Sequence, residues 1–310
     1  MNSTAVIIAR FQTPFLHEGH QYLLNEIRSR HAKVVVVLGV SQLKGSKRNP
    51  FDFYTREKML KAYDPSLLVL PLADRSSDEA WSRCMDDLLR QVLPGETITL
   101  FGSRDSFINS YSGSFPVAEL PQHGDHSASR IRANVSDHVL DTADFRLGIN
   151  YALQNNYSRV FPTVDIAVLN AEENQILLAR KHNNMQWRLP GGFCDTTDLS
   201  METAAARELK EECGNIEVSA LQYVGSARID DWRYRNEEDK VITTLLKTTL
   251  ISGTPEAADD IEEVKWFPLT SLKSMIRQNE ITSEHFILFD LLLRSLHTST
   301  DMQLTELESK

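Results

Sequence analysis

The chain has 310 residues, 41% of them hydrophobic and 25% charged, and a formal net charge of −10 at pH 7. That length suits two ordinary cores, and no apolar run approaches the roughly 18 to 20 residues that cross a bilayer, so no membrane span is expected. Residues 1–157 carry 17 basic and 17 acidic side chains and residues 158–310 carry 16 and 26, so the whole imbalance lies in the second half. An acidic half disfavours the backbone of nucleic acid as a partner and suits divalent cations, with simple solubility as the plainer alternative.

The start, MNSTAVIIARFQTPF, lacks the basic segment, long apolar core and cleavage site of a secretory leader and reads as a first strand. Cys84, Cys194 and Cys213 form no CxxC or Cys/His cluster, which argues against a disulfide framework and a structural zinc site and fits a reducing, cytoplasmic setting.

Along the first half, short apolar runs alternate with helical patterns. TAVIIA (4–9), KVVVVLGV (33–40), LLVLPL (67–72) and TITLFG (97–102) read as strands, separated by HQYLLNEI, TREKMLKAY and DEAWSRCMDDLLRQV. Four buried-type strands with helices between them predict a parallel, doubly wound α/β sheet whose ligands bind beyond the strands' carboxyl ends. A helix is expected over 137–155, and the polar NNYSRVFPT after it reads as a junction, which places a domain boundary at 157/158. In the second half, VDIAVLN (164–170), QILLAR (175–180), KVITTLLKTTLI (240–251) and EVKWFPL (263–269) read as strands around one helix, LSMETAAARELKEEC, capped at Gly214.

The stretch FLHEGHQYLL sets His17, Gly19 and His20 at the start of the first helix. Exposed N–H groups and the helix dipole make that end an anion site, a glycine permits close approach of phosphate, and two imidazoles three residues apart can face one ligand. ARFQTPFLHEGHQYLL resembles the first motif of the HxGH nucleotidyltransferases, and its RFQ resembles the archaeal-type nicotinamide mononucleotide (NMN) adenylyltransferases. NPFDFYTRE (49–57), FGSRD (101–105) and SASRIR (127–132) are similar to later motifs of that family, with Ser129 in place of a threonine. The resemblance implies a Rossmann-like domain over 1–157 in which His17, His20 and Arg132 act on the triphosphate. It further implies that Arg10, Phe11, Gly19, Gly102, Arg104, Ser127, Ser129 and Ile131 bind ATP and that Trp81 stacks on NMN. Trp81 is equally readable as a helix core residue, and Lys44, Lys47 and Arg48 read as solvated loop charges.

In GGFCDTTDLSMETAAARELKEECG (191–214), Glu208, Glu211 and Glu212 are spaced to share one helix face, where mutual repulsion favours a divalent metal; a solvated acidic face is the alternative. The segment resembles the Nudix box, Gx5Ex7REUxEExGU, and implies a Nudix α/β/α sandwich over 158–310 that uses Mg2+ or Mn2+. It departs from the box in one extra residue between Gly192 and Arg207, in Asp198 where a glutamate is expected, and in Asn215 at the last aliphatic place. SARIDDWRYRNEEDKVITT (226–244) is similar to the substrate segment of ADP-ribose pyrophosphatases, which points to Gly192, Asp230 and Arg233 as ADP-ribose contacts. Glu262 or Glu263 is a further candidate base, against a charged loop before a strand.

Both halves in this order resemble the bifunctional NMN adenylyltransferase/Nudix hydrolases. The expectation is NAD synthesis from NMN and ATP, joined to metal-dependent hydrolysis of ADP-ribose to AMP and ribose 5-phosphate. Two alternatives stay open: another phosphate acceptor for the first domain, and a Nudix domain that senses a nucleotide without cleaving it. A homo-oligomer is left open as well.

Overall fold

The computed structural model describes residues 3–43, 45–103, 106–182 and 184–296. Two compact units divide the chain, Met1–Tyr157 and Ser158–Lys310. No described helix is long and apolar enough to cross a membrane.

Unit 1 runs β1 (Ser3–Ala9), α1 (Glu18–Arg30), β2 (Lys33–Val40), α2 (Phe53–Tyr63), β3 (Leu68–Ala73), α3 (Asp78–Val92), β4 (Thr97–Ser103), β5 (Val117–Leu120), α4 (Ala128–Ser136) and α5 (Ala143–Gln154). The five strands are all parallel, in the order β3-β2-β1-β4-β5. Side chains alternate across a strand, so Ala5 and Ile7 of β1 join Val34, Val36 and Leu38 of β2 in one apolar cluster. Val6, Ile8, Val35 and Val37 enter the other, under α3. Both faces of the central strands are therefore buried, which is why their sequences are continuous apolar runs rather than alternating ones. The order reverses between β1 and β4, and the loop leaving β1 emerges at that switch point.

Three local expectations need correction. A fifth strand, β5, extends the sheet beyond β4. The helix expected over 137–155 begins only at Ala143, because the Thr142 side chain accepts the Phe145 N–H and caps it there. The supposed junction up to Thr163 is partly strand.

Unit 2 starts with that strand, β6 (Val160–Leu169), followed by β7 (Gln175–Lys181), β8 (Gly191–Phe193), α6 (Met201–Cys213), β9 (Glu217–Val218), β10 (Gln222–Ile229), β11 (Lys240–Ser252), β12 (Ile261–Pro268), α7 (Leu272–Arg277) and a helix over 286–296, α8. The mixed sheet has the order β10-β11-β6-β7-β12, with β8 on β6 and β9 on β11. Val164, Ile166 and Val168 of β6 pack towards α6 with Ala204, Ala205, Leu209 and Cys213. Ala167 and Leu169 face the opposite side with Leu272, Leu288, Phe289 and Leu292 of α7 and α8. Helices thus cover both faces of the sheet. A capping box at Ser200 and Thr203 starts α6, and Gly214, at φ 75°, ends it.

Candidate functional site

In unit 1 the loops beyond β1, β2 and β3 are tied by arginines. Arg56 of α2 is 1% exposed, and its guanidinium donates to the carbonyl oxygens of Arg10 (2.7 Å), Gly39 (2.9 Å) and Asp52 (3.0 Å). Burial, and then Arg10, pull its pKa down to about 10. The Arg10 side chain reaches across to Asp74 at 2.7 Å and lies against Gly39, where an added Cβ would stand 3.5 Å from Arg10 Cζ. Gln12 and Phe51 exchange two hydrogen bonds of 3.0 Å. Arg132 of α4 donates to Gln12 O at 2.8 Å, Lys47 O at 3.1 Å and Ser129 Oγ at 3.1 Å. Segments far apart in the chain are therefore joined by three arginine side chains, Arg10, Arg56 and Arg132, at the carboxyl edge of a parallel sheet.

His17 and His20 stand at that edge. His17 is the N-cap of α1, its Nδ1 accepting the His20 N–H at 3.4 Å. The two rings stack at 3.6 Å, His126 stacks on the far side of His17 at 4.7 Å, and Phe11 meets His20 edge-on at 4.7 Å. Phe11 is buried and held at φ 47°, a conformation that costs a non-glycine residue energy and turns the chain out of β1. Burial, then His17 and His126, push His20 down to about 3, and burial also lowers His17, so both rings are neutral near pH 7. Ser127 caps α4 by accepting the Arg130 N–H, and Ile131 is half-buried on that helix.

Two glycines have other neighbours than phosphate. An added Cβ at Gly19 would meet His123 O, the His126 ring and the His17 ring at 3.2 Å, so the missing side chain admits the loop before α4. At Gly102 it would run into the Ser106 side chain. Arg104 lies outside the described residues, as does Lys44. Trp81 is half-buried beside Phe107 (6.1 Å) and Tyr111 (6.4 Å), on the cluster that contains Met85 and Leu89, which is the core reading of that residue.

In unit 2, the expected convergence of three carboxylates takes a different form. Arg207 lies between Glu208 (2.8 Å) and Glu211 (2.9 Å), and it also binds Asp198 twice (2.9 and 3.2 Å) and Phe193 O (3.0 Å). Glu212 turns inward and accepts the Gly191 N–H at 2.8 Å. Among the described residues no three His, Cys, Asp or Glu side chains are grouped to hold a metal ion. Glu208 and Glu212 are buried, Glu211 is half exposed. Desolvation raises Glu208 and pushes Glu212 up to about 7, opposed at Glu212 by the Gly191 N–H, Lys181 and Arg188.

The glycine pair is set by these carboxylates and by β6. Gly191 has φ 144°, and a Cβ there would overlap Val164 O; at Gly192 a Cβ would stand 2.6 Å from Glu208 Oε2. Arg233 does not pair with Asp230. It clasps buried Asp231 (2.6 and 2.9 Å) and lies over the Phe193 ring at 4.7 Å, while Asp230 pairs with Arg235 at 2.8 Å. Glu263 is engaged by Arg180 at 2.6 Å, and Glu262 is exposed.

Sequence reasoning missed a buried polar group on the other face of β6. Asp165 accepts from Thr243 Oγ1 at 2.5 Å and stands 3.5 Å from His285 Nε2; His285 Nδ1 accepts the Leu189 N–H at 3.3 Å. Burial pushes Asp165 up to about 6 and His285 well down. The only sequence signal was a charge within the apolar run VDIAVLN.

Two family models match the chain: cytidylyltransferase-like over residues 10–134 and NUDIX domain over residues 160–288. A putative ADP-ribose pyrophosphatase, YjhB, of Bacillus subtilis is 28% identical over 134 residues, 42% of this chain and 62% of that protein. The NAD-capped RNA hydrolase NudC of Vibrio parahaemolyticus is 40% identical over 73 residues, 23% of this chain and 26% of that protein. The chain thus spans less than two thirds of either relative. A crystal structure of a bifunctional NMN adenylyltransferase/ADP ribose pyrophosphatase from Francisella tularensis, complexed with AMP and a Mn ion, superposes with a TM-score of 0.41 at 21% identity, covering 95% of this chain and 99% of that one.

Proposed function

Because the chain joins a cytidylyltransferase-like domain to a NUDIX domain, we propose that it is a bifunctional enzyme of NAD metabolism, with unit 1 adenylylating NMN and unit 2 hydrolysing ADP-ribose. The observation that supports nucleotidyl transfer best is the stacked His17–His20 pair at the N-cap of α1, at the end of the β1–α1 loop that begins at Arg10 and whose Gln12 carbonyl Arg132 holds. Transfer to a phosphate acceptor needs in-line positioning and cationic stabilisation of the leaving pyrophosphate, and no covalent nucleophile. The buried Nδ1 of His20 has no hydrogen-bond partner among the described residues, and a triphosphate oxygen would satisfy it in the Nδ1–H tautomer. Arg10 and Arg132 hold the phosphates, Ser127, Ser129, Ile131, Gly19 and Phe11 shape the loops around them, and Trp81 is the candidate surface for the nicotinamide ring.

In unit 2, Glu208, Glu211 and Glu212 are the donors for Mg2+ or Mn2+. Glu208 and Glu212 are buried carboxylates whose charged forms desolvation disfavours, and a hard divalent cation would neutralise them, with half-exposed Glu211 as the third oxygen donor. Such a cation, when bound, polarises the diphosphate and acidifies a bound water. Arg207 sets the rotamers of Glu208 and Glu211, the Gly191–Glu212 contact docks β8 onto α6, and Gly192 leaves room for the Glu208 carboxylate. Arg233 over Phe193 and Asp230 with Arg235 frame the proposed ADP-ribose contacts. The relative named a putative ADP-ribose pyrophosphatase supports this substrate. A second reading, binding of ADP-ribose without cleavage, draws on the engagement of Glu208 and Glu211 by one guanidinium.

The test is to supply the protein and Mg2+ with NMN and ATP, or with ADP-ribose, and to follow products by chromatography. NAD and AMP are expected, with His20→Ala abolishing only the first and Glu211→Ala only the second. Intact ADP-ribose in a protein that makes NAD would leave the binding-only reading, and absence of NAD would send the search to other phosphate acceptors.

A further inference from the structure

We infer that α5 is a dimerisation element, through which two copies of this chain pack about a twofold axis. Along the helix Ala143, Leu147 and Tyr151 form one row at a spacing of four, Phe145, Ile149 and Leu153 form a second, and Gly148 and Ala152 lie in the furrow between them. Arg146, Asn150 and Gln154 make the polar row opposite. A helix that is apolar over most of its circumference belongs in an interior, yet among the described residues α5 buries none of its side chains. Leu147 and Leu153 are 62% and 69% exposed, Val139 just before the helix is 90% exposed, and Leu140, Ile149 and Tyr151 are about half exposed. The helix is held to unit 1 by half-buried Phe145 and by a hydrogen bond from the Tyr151 hydroxyl to Asp52, the N-cap of α2.

Area, charge and shape name the occupant. Those six side chains expose an apolar surface on the order of the roughly 800 Å² that each partner gives to a standard interface. Neither apolar row carries a charge, and the furrow holds one only at its end, where Asp144 sits in the first turn of the helix; the core of an interface is depleted of charge in the same way. Two antiparallel copies of α5 would place their Asp144 carboxylates at opposite ends of the contact. Gly148 stands at the middle of α5, and a Cβ there would meet nothing within 4 Å, so no described part of the chain uses the space that the missing side chain leaves. A glycine in mid-helix weakens the helix relative to alanine. Here it opens a furrow that admits the Ile149–Leu153 ridge of a second copy while the first copy's own ridge enters the other furrow, the reciprocal contact that a twofold axis requires. The inference is independent of either proposed activity.

The experiment measures the mass of the full chain by sedimentation equilibrium over about 1–100 µM. It compares wild type, the double variant Leu147→Ser with Leu153→Ser, and Gly148→Leu, with circular dichroism as the check that each variant folds. Wild type is expected at twice the mass of one chain. The double serine variant should raise the dimer Kd by about 100-fold or more. Gly148→Leu favours the helix and enlarges the apolar face but fills the furrow, so it too should weaken the dimer, by about 100-fold. A surface that associates without specific packing would instead bind more tightly with the added leucine. Wild type at the mass of one chain throughout overturns the proposal and leaves α5 to be covered within its own chain or by a different protein. A dimer that either variant leaves as tight as wild type, or tighter, overturns it as well, since the contact then lies elsewhere or is not a packed furrow.

Discussion

Replacing Gly192 by alanine isolates the position of one carboxylate. The new Cβ would lie 2.6 Å from Glu208 Oε2 and 2.7 Å from both Cδ and Oε1, whereas ordinary contact begins at 3.4 Å. The carboxylate must retreat by on the order of 0.8 Å, into a region already occupied by Arg207. Overpacking of this kind costs about 1–3 kcal/mol, or roughly 2–12 °C in Tm for a unit of this size. A misplacement approaching 1 Å costs about 100-fold in a positioned reaction. The assay is kcat/KM for AMP release from ADP-ribose, with Tm by calorimetry and NAD formation as the control. A fall of about 100-fold is expected with NAD formation intact. Combining Gly192→Ala with Glu208→Asp, which shortens the side chain by one methylene, should recover Tm without recovering turnover. Hydrolysis within threefold of wild type in Gly192→Ala would refute the claim that the Glu208 carboxylate acts from the position seen here. Gly191→Ala is the contrast: its Cβ meets backbone at φ 144°, so loss of folded unit 2 is expected.

Three further outcomes follow from the same geometry. Glu211→Gln, at a half-exposed position, should lower ADP-ribose turnover by about 100-fold or more while Tm, followed by calorimetry, moves by no more than about 1–2 °C. Arg56→Met leaves the carbonyls of Arg10, Gly39 and Asp52 without their donor, and urea unfolding of unit 1 should show a loss of about 3–5 kcal/mol. Asp165 binds its proton more tightly folded (pKa about 6) than unfolded (3.8), so its contribution to stability is fullest below the unfolded value and lost as pH rises through about 6. Asp165→Asn should therefore match wild type near pH 4 and exceed it by up to about 3 kcal/mol at pH 7; an unchanged difference between those pH values in paired denaturant curves would count against an ionised Asp165.

The sheets were legible because burial on both faces writes itself into sequence as continuous runs such as VVVV in β2, and α6 because its apolar period and caps agree. What escaped was short or lacked a buried face. β5 has four residues, too few for a period. α4 buries no side chain, so it announces itself through the Ser127 cap and not through periodicity. The start of α5 was misplaced because Thr142, a strong cap, lies inside a stretch that otherwise looks helical. At the candidate sites, spacing sets Glu208, Glu211 and Glu212 along one helix face, but nothing in a spacing rule says that the side chain of Arg207 turns back between the first two or that Glu212 turns inward to the Gly191 N–H. Similarly, the pair His123 and His126 repeats the separation of His17 and His20, yet only tertiary structure sets the two pairs against one another. Asp165 and His285 are 120 positions apart and meet across β6 and the turn that leads into α8.

The clasp of Arg207 on Asp198 also bears on how loops of unequal length can serve one helix. The turn before α6 is closed on itself, Asp195 N donating to Asp198 Oδ2 at 2.7 Å and Asp198 N to Asp195 O at 3.1 Å, and then anchored to the helix by two bonds from the guanidinium. Adding one residue to a closed loop changes its closure entropy by only a small fraction of the roughly 0.6 kcal/mol that a doubling would cost. What fixes the loop is therefore the destination of one carboxylate and not the number of residues travelled to reach it. In an alignment of sequences, a gap in this turn would be tolerated wherever an acid still arrives at the arginine, and a gapless turn without that acid would not.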